Sequence, residues 1–282
     1  MPTIVTGKAS EVKFGPGMPT IIIGERINPT GRKKLAKHLQ SGDLDMVEEE
    51  ARSQKLAGAE ILDVNVGASD VEETKILPKA VEIALTSTGL PICIDSANTE
   101  AIQAALSIYP YKALVNSVTG EEKSLDTMLP LVKKYNSSII GLTIDEKGIP
   151  NTASARVKIA EKIVNRAESY GISRENVVID CLALAASADS KSAMVTLDTI
   201  RILTKELSLS TTMGASNISF GMPQRKIINN AFLSMAIEAG LSAAIVDPTQ
   251  EATLYTVLSC NFLTDKDEFA TRFLNFHRAK KV

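Results

Sequence analysis

The stretch Met213-Gly-Ala-Ser-Asn-Ile-Ser-Phe220 decides how this chain is read, because it begins as a short strand-like run and ends in small and polar residues. Asn217 stands at its centre, and Gly221, Pro223 and a helix-forming segment over 224–239 follow. In parallel α/β proteins, a strand that stops at a polar side chain just before a helix offers that side chain to a ligand. Three other runs close in the same way: 92–95 on Asp95, 114–116 on Asn116 and 177–180 on Asp180. Brought to one mouth, the four ends would present two amides and two carboxylates. Helix capping, for which Asp, Asn and Ser are favoured, explains any one of these residues well but the repetition less well.

Outward from that stretch the chain repeats one unit. Strand-like runs at 20–24, 60–67, 90–95, 111–116, 137–143, 176–180, 213–220 and 241–246 are each followed by a helix-forming segment. The clearest helical period is Val157, Ala160, Ile163, Val164 and Ala167 within 153–170. Eight strand–helix units in about 260 residues match a (β/α)8 TIM barrel, an α/β fold. A doubly wound open sheet is the rival, but the sequence has neither GxGxxG nor GxxxxGK[ST]. Residues 1–19 hold two β-like pieces and then Gly15-Pro16-Gly17, which predicts a hairpin that plugs the barrel end away from the site. The expected organisation is this hairpin over 1–19 and one barrel over 20–282. The loop 145–150 has the make-up of a lid, and 181–192, rich in Ala and Ser, suggests close backbone approach or mobility near the mouth.

Composition narrows the function classes. With 282 residues, 44% hydrophobic and 23% charged, the chain can bury a full core. A formal net charge of −2 gives no ground for binding nucleic acid or an acidic membrane surface. Cys93, Cys181 and Cys260 are far apart and lack CxxC spacing, so they predict buried thiols in a reducing compartment rather than disulfides or zinc. No signal-peptide pattern and no apolar run of about 18 residues is present, and a cytoplasmic location is expected.

His38 and His277, the two histidines, fall in predicted surface helices, which disfavours a histidine base or a metal site. Lys and Arg are scarce at strand ends, which disfavours a Schiff base or phosphate clamp. Asp63, Asn65, Asp95, Asn116, Asp180, Asn217 and Asp247 remain at the expected mouth. Asp63 and Asn65 share one strand face, as a site or as an internal hydrogen-bond network, while Leu62, Val64 and Val66 share the other. Glu25 and Arg26 read equally as a structural ion pair at a strand end or as ligand contacts. Asn28 reads as a contact or as a turn cap. Carboxylates with amides suit a neutral planar heterocycle edged with N–H donors and C=O acceptors.

The segments Gly24-Glu-Arg-Ile-Asn28, Asp63-Val-Asn-Val-Gly67, Ile94-Asp-Ser96, Asn116-Ser117, Gly141-Leu-Thr143, Ile179-Asp180, Ser216-Asn-Ile-Ser219 and Ser242-Ala-Ala-Ile245 resemble the pterin-binding barrels. More closely they resemble methyltetrahydrofolate:corrinoid-protein methyltransferases, in matching order from about residue 20 to the end. That resemblance implies a homodimeric barrel that moves a methyl group between N5 of tetrahydrofolate and the cobalt of a separate corrinoid protein. It implies that Asp95, Asn116 and Asp180 hold the pterin edge, that Asn217 reaches the N5 region as the catalytic side chain, and that Arg225 lies near the substrate loop. Phe220 stands where some relatives carry glutamine. Asn28, Asp63, Asn65, Ser96, Ser216 and Ser219 are expected to line the pocket, with no bound metal. The corrinoid would come from a partner protein, since no DxHxxG cobalamin signature is present. The N-terminal hairpin and the 24–31 loop look like the catabolic branch, which passes methyl from Co(III) to tetrahydrofolate during methylamine or methoxyaromatic demethylation. The alternatives are a dihydropteroate synthase-like enzyme, disfavoured by a missing Asn-x-Thr-x-Asp-Ser start, and a non-catalytic pterin-binding scaffold.

Overall fold

The computed structural model describes residues 1–279; residues 280–282, the last of the expected barrel segment, lie outside the described residues. Strands β1 (Thr3–Thr6) and β2 (Glu11–Phe14) pair antiparallel as the expected hairpin. The next eight strands are β3 (Ile21–Ile27), β4 (Ile61–Asn65), β5 (Ile92–Asp95), β6 (Leu114–Thr119), β7 (Ser138–Leu142), β8 (Val177–Asp180), β9 (Ser210–Gly214) and β10 (Ala243–Val246). All are parallel, and β10 pairs with both β9 and β3 to close a barrel.

The helices that alternate with them are α1 (Lys33–Ser41), α2 (Asp45–Leu56), α3 (Glu73–Thr88), α4 (Thr99–Ile108), α5 (Glu122–Lys134), α6 (Ala153–Ser169), α7 (Ser192–Lys205), α8 (Arg225–Ala239), α9 (Glu251–Leu263) and α10 (Thr271–Ala279). The sequence supplies stop and start signals for them. Asn98 caps α4 by accepting from the N–H groups of Glu100 and Ala101, and Thr152 caps α6 through Ala155. The TIM barrel fold class is thus confirmed.

Alternation along each strand builds two different layers. Residues facing outward, such as Leu62, Val64, Ile94 and Val115, pack with the helices in one apolar shell. Facing inward near the start of the strands, Ile21, Ile23, Ile61, Cys93, Leu114, Ile140, Val178 and Ala243 form a second cluster, which Val5 and Phe14 of the hairpin complete. The hairpin therefore closes the end where the strands begin. Its backbone is tied there by Thr6 N–H to Lys112 O at 2.9 Å and Ala9 N–H to Gly89 O at 2.9 Å. Gly7 makes that contact feasible, since a Cβ on it would lie 2.4 Å from the Leu90 carbonyl carbon.

Three expected boundaries move. The first barrel strand runs on to Ile27, so Glu25 and Arg26 belong to β3 rather than to the loop after it. β6 continues past Asn116 to Thr119, with a register shift between Asn116 and Val118. The stretch 213–220 is strand only to Gly214, where pairing with Ile245 ends, and 215–219 turn as a 3-10 helix. The soft connection after β8 is fastened rather than loose. Arg156 of α6, 1% exposed, donates to the carbonyls of Cys181 at 2.6 Å, Leu182 at 2.7 Å and Pro150 at 3.0 Å.

Candidate functional site

Moving two residues along each strand from the inner apolar layer changes its chemistry. Ile23 gives way to Glu25, Ile61 to Asp63, Cys93 to Asp95, Leu114 to Asn116 and Val178 to Asp180, with Leu142 and Ile245 as the apolar members of the row. Side chains at i and i+2 share a face, so this polar row sits directly above the apolar plug, at the carboxyl ends of the strands.

Two cavities open at this end and share Asp95 and Asn116 as a common wall. One, of about 400 Å³, is lined among others by Glu25, Asn28, Asp63, Asn217 and Asp247. The other, of about 440 Å³, extends over Ser96, Ser117, Thr119, Lys123 and Met128. Asn217 overhangs the strand end from the 3-10 turn, its amide nitrogen 3.2 Å from where a Cβ on Gly214 would stand. A side chain at 214 would crowd the amide, so the glycine matters to the site.

The polar groups hold one another. Asn116 Nδ2 donates to Asp63 Oδ1 at 3.2 Å, Asn65 Nδ2 donates to Asp95 Oδ2 at 2.9 Å, and Asn65 Oδ1 accepts from Gly67 N–H at 2.8 Å. Burial, and then the charge of Asp95, push the Asp63 carboxyl well above the usual range, which favours its neutral form. Burial also raises Asp95, to about 6, while hydrogen bonds from Asn65 and Asp63 work the other way. Asp95 is therefore the ionised member of the pair near neutral pH. Asp180 is raised to about 6 by burial, opposed by the Leu182 N–H, which donates to its Oδ1 at 2.7 Å.

The remaining expected residues divide by position. Asp180 occupies the polar row but is not among the residues lining either cavity. Asn65 backs Asp95 from behind. Ser96 lines the larger cavity and donates to Glu73 at 2.5 Å. Ser216 donates to Glu25 Oε1 at 3.0 Å, and Ser219 is buried and accepts from Arg225 Nε at 3.0 Å. Arg225 also donates to Ser216 O at 2.9 Å and lies 4.7 Å over the Phe220 ring, which braces the turn that carries Asn217.

Glu25 and Arg26 do not pair with each other. Arg26 donates to Glu50 at 2.6 Å and to Asp247 at 2.9 Å, and Arg32 also pairs with Glu50, forming a charged rim. Burial raises Glu25 to about 7, opposed by the Ser216 hydroxyl. Reading Glu25 as part of a loop left it open between an ion pair with Arg26 and a ligand contact; extending the alternation of Ile21 and Ile23 by one step puts it on the inner face. Among the described residues no group of three His, Cys, Asp or Glu could hold a metal ion, and no helix is long and apolar enough to cross a membrane.

A closed parallel barrel with a ring of carboxylates and amides over an apolar plug is a ligand-binding TIM barrel. This chain belongs to the pterin-binding enzyme family, whose profile matches residues 24–247. It is 28% identical over 267 residues to the methylcorrinoid:tetrahydrofolate methyltransferase of Eubacterium limosum, covering 93% of this chain and 97% of that one. It is 31% identical over 293 residues to the methionine synthase of Mycobacterium leprae, of which it spans 24%. Among solved structures it resembles the dihydropteroate synthase of Yersinia pestis, with TM-score 0.67 and 14% identity over 93% of this chain and 99% of that one, a likeness of fold. The resemblance read from the strand-end segments is borne out.

Proposed function

We propose that the chain moves a methyl group between N5 of tetrahydrofolate and the cobalt of a corrinoid carried by a partner protein. The observation behind this reading is that Asp95, Asn116 and Asn217 line one cavity in a chain that matches a methylcorrinoid:tetrahydrofolate methyltransferase almost end to end. An ionised Asp95 accepts two parallel N–H donors of the 2-amino-pyrimidinone edge, and Asn116, which both donates and accepts, fixes the ring's orientation. Asn28 and the Arg225-braced turn complete the binding site, and Asp180 supports it from the polar row, outside the cavity lining. From the other side, Asn217 donates toward N5, a bond that strengthens as charge at N5 changes during transfer. The corrinoid enters as a substrate at the open mouth, which the hairpin leaves free by closing the opposite end.

The direction we favour is from methyl-Co(III) to tetrahydrofolate, which agrees with the name of the Eubacterium limosum relative. A homodimer in the cytoplasm is part of the same proposal. Methylcobalamin, and separately a methylated corrinoid protein, mixed anaerobically with tetrahydrofolate and the protein should yield Co(I) and 5-methyltetrahydrofolate in equal amounts. Tight tetrahydrofolate binding with no cobalt change from either donor would overturn this reading in favour of a pterin-binding scaffold.

A further inference from the structure

Methyl transfer at N5 changes the proton count of that nitrogen, and the amide of Asn217 cannot supply or keep a proton. Of the carboxyl groups at the mouth, most are already committed. Asp247 and Glu50 are held below their usual range despite burial, Asp247 by Thr249 and Arg26, Glu50 by Arg26 and Arg32. Asp63 and Asp95 share a buried pair on β4 and β5. Asp180 accepts from Leu182 N–H and lies outside the lining of both cavities.

Glu25 is different. It lines the same cavity as Asn217, and it sits on β3, which pairs with β10, itself the neighbour of β9. Its Oε1 accepts from the hydroxyl of Ser216, the residue next to Asn217 in the chain. Its neighbour Arg26 is spent on Glu50 and Asp247.

We propose that Glu25 is the catalytic acid–base of this site, exchanging a proton with the pterin nitrogen that gains or loses the methyl group. The proposal rests on the methyltransferase reading. Toward cobalt, the Glu25 proton passes to N5 first, leaving a carboxylate and a cationic N5 that can depart as an amine. The Co(I) electron pair then forms the bond to the methyl carbon and the C–N5 electrons return to nitrogen, giving tetrahydrofolate and methyl-Co(III). Toward folate, the N5 lone pair takes the methyl, the N5 proton passes to the Glu25 carboxylate and the bonding pair stays on cobalt as Co(I).

The surroundings set the working range. Burial and Asp247 disfavour the charged form of Glu25, Ser216, Arg225 and Arg26 favour it, and Asp63 faces it from β4 as a neutral group. Their balance at about 7 lets Glu25 both give and accept a proton near neutrality.

The test compares wild type, Glu25→Gln and Glu25→Asp with 5-methyltetrahydrofolate and Co(I) cobalamin, or the Co(I) corrinoid protein, across pH. The wild-type rate should fall as pH rises through the ionisation of Glu25. Glu25→Gln should lower the maximal rate by ~10²-fold or more and erase that limb. Its affinity for tetrahydrofolate should stay close to that of wild type, and Glu25→Asp should restore part of the rate with a displaced limb. Infrared difference spectra should show, besides the bands of Asp95 and Asp180, a carboxyl C=O band that titrates near pH 7 in wild type and is missing in Glu25→Gln. An active wild type whose Glu25→Gln variant keeps both its rate and its pH profile, or a wild type lacking that band, would overturn the role of Glu25. A wild type with normal folate binding and the titrating band, but no transfer to any corrinoid, would overturn the methyltransferase reading instead.

Discussion

The two ends of this barrel are built from the same strands and obey opposite rules. At the start of the strands the interior is apolar and sealed by Val5 and Phe14 of the hairpin, both fully buried. Two residues further along, the interior holds Glu25, Asp63, Asp95, Asn116 and Asp180. The first layer gains stability by removing hydrocarbon from water. The second gives stability up, because buried carboxyls are raised away from their unfolded values. The strands can hold a buried polar ring at one end because the other end is packed with hydrocarbon.

Substitutions at the two ends should therefore fail in different ways. The largest effect expected is on stability: Phe14→Ala should cost about 3–5 kcal/mol in urea unfolding. The molecules that remain folded should bind tetrahydrofolate with unchanged affinity; lost affinity in the folded fraction would show that the plug and the mouth are coupled.

Next in size, Asn217→Ala should slow methyl transfer at saturating folate by ~10²–10³-fold, as loss of a donor to a developing charge does elsewhere. Urea unfolding should scarcely change. An unaltered rate would remove Asn217 from the chemistry.

The smallest effect concerns pH. Asp63 is raised in the folded protein, so its contribution to stability is complete below the unfolded value of about 3.9 and is lost as pH rises toward the folded one. Over that window each retained proton costs up to about 1.4 kcal/mol per pH unit. Asp63→Asn keeps an oxygen to accept from Asn116 but has no proton to lose, so it should flatten the decline above about pH 4. An unchanged slope would mean that Asp63 ionises normally.

Much of this was legible in the chain. The eight strand–helix units carry the fold in their periodicity, and Asp95, Asn116 and Asp180 were recognisable because each ends an apolar run. Glu25 was legible only as either an ion pair with Arg26 or a ligand contact, because the residues around it read as a loop once the short apolar run 20–24 had ended. Arg156 was missed for a related reason: it lies on a helix whose apolar period is unbroken without it, and its partners are carbonyls of the loop just before that helix and of the loop after β8.

The sequence by itself determined the barrel, the apolar and polar layers within it and the family, because side-chain period and strand-end chemistry are local properties of the chain. Only the tertiary structure decided which polar residues share a cavity and which carboxyl keeps its proton. Those outcomes depend on closure between β10 and β3, which brings residues more than two hundred positions apart, such as Arg26 and Asp247, within 2.9 Å of each other. They depend equally on burial, which no single residue carries in its own identity.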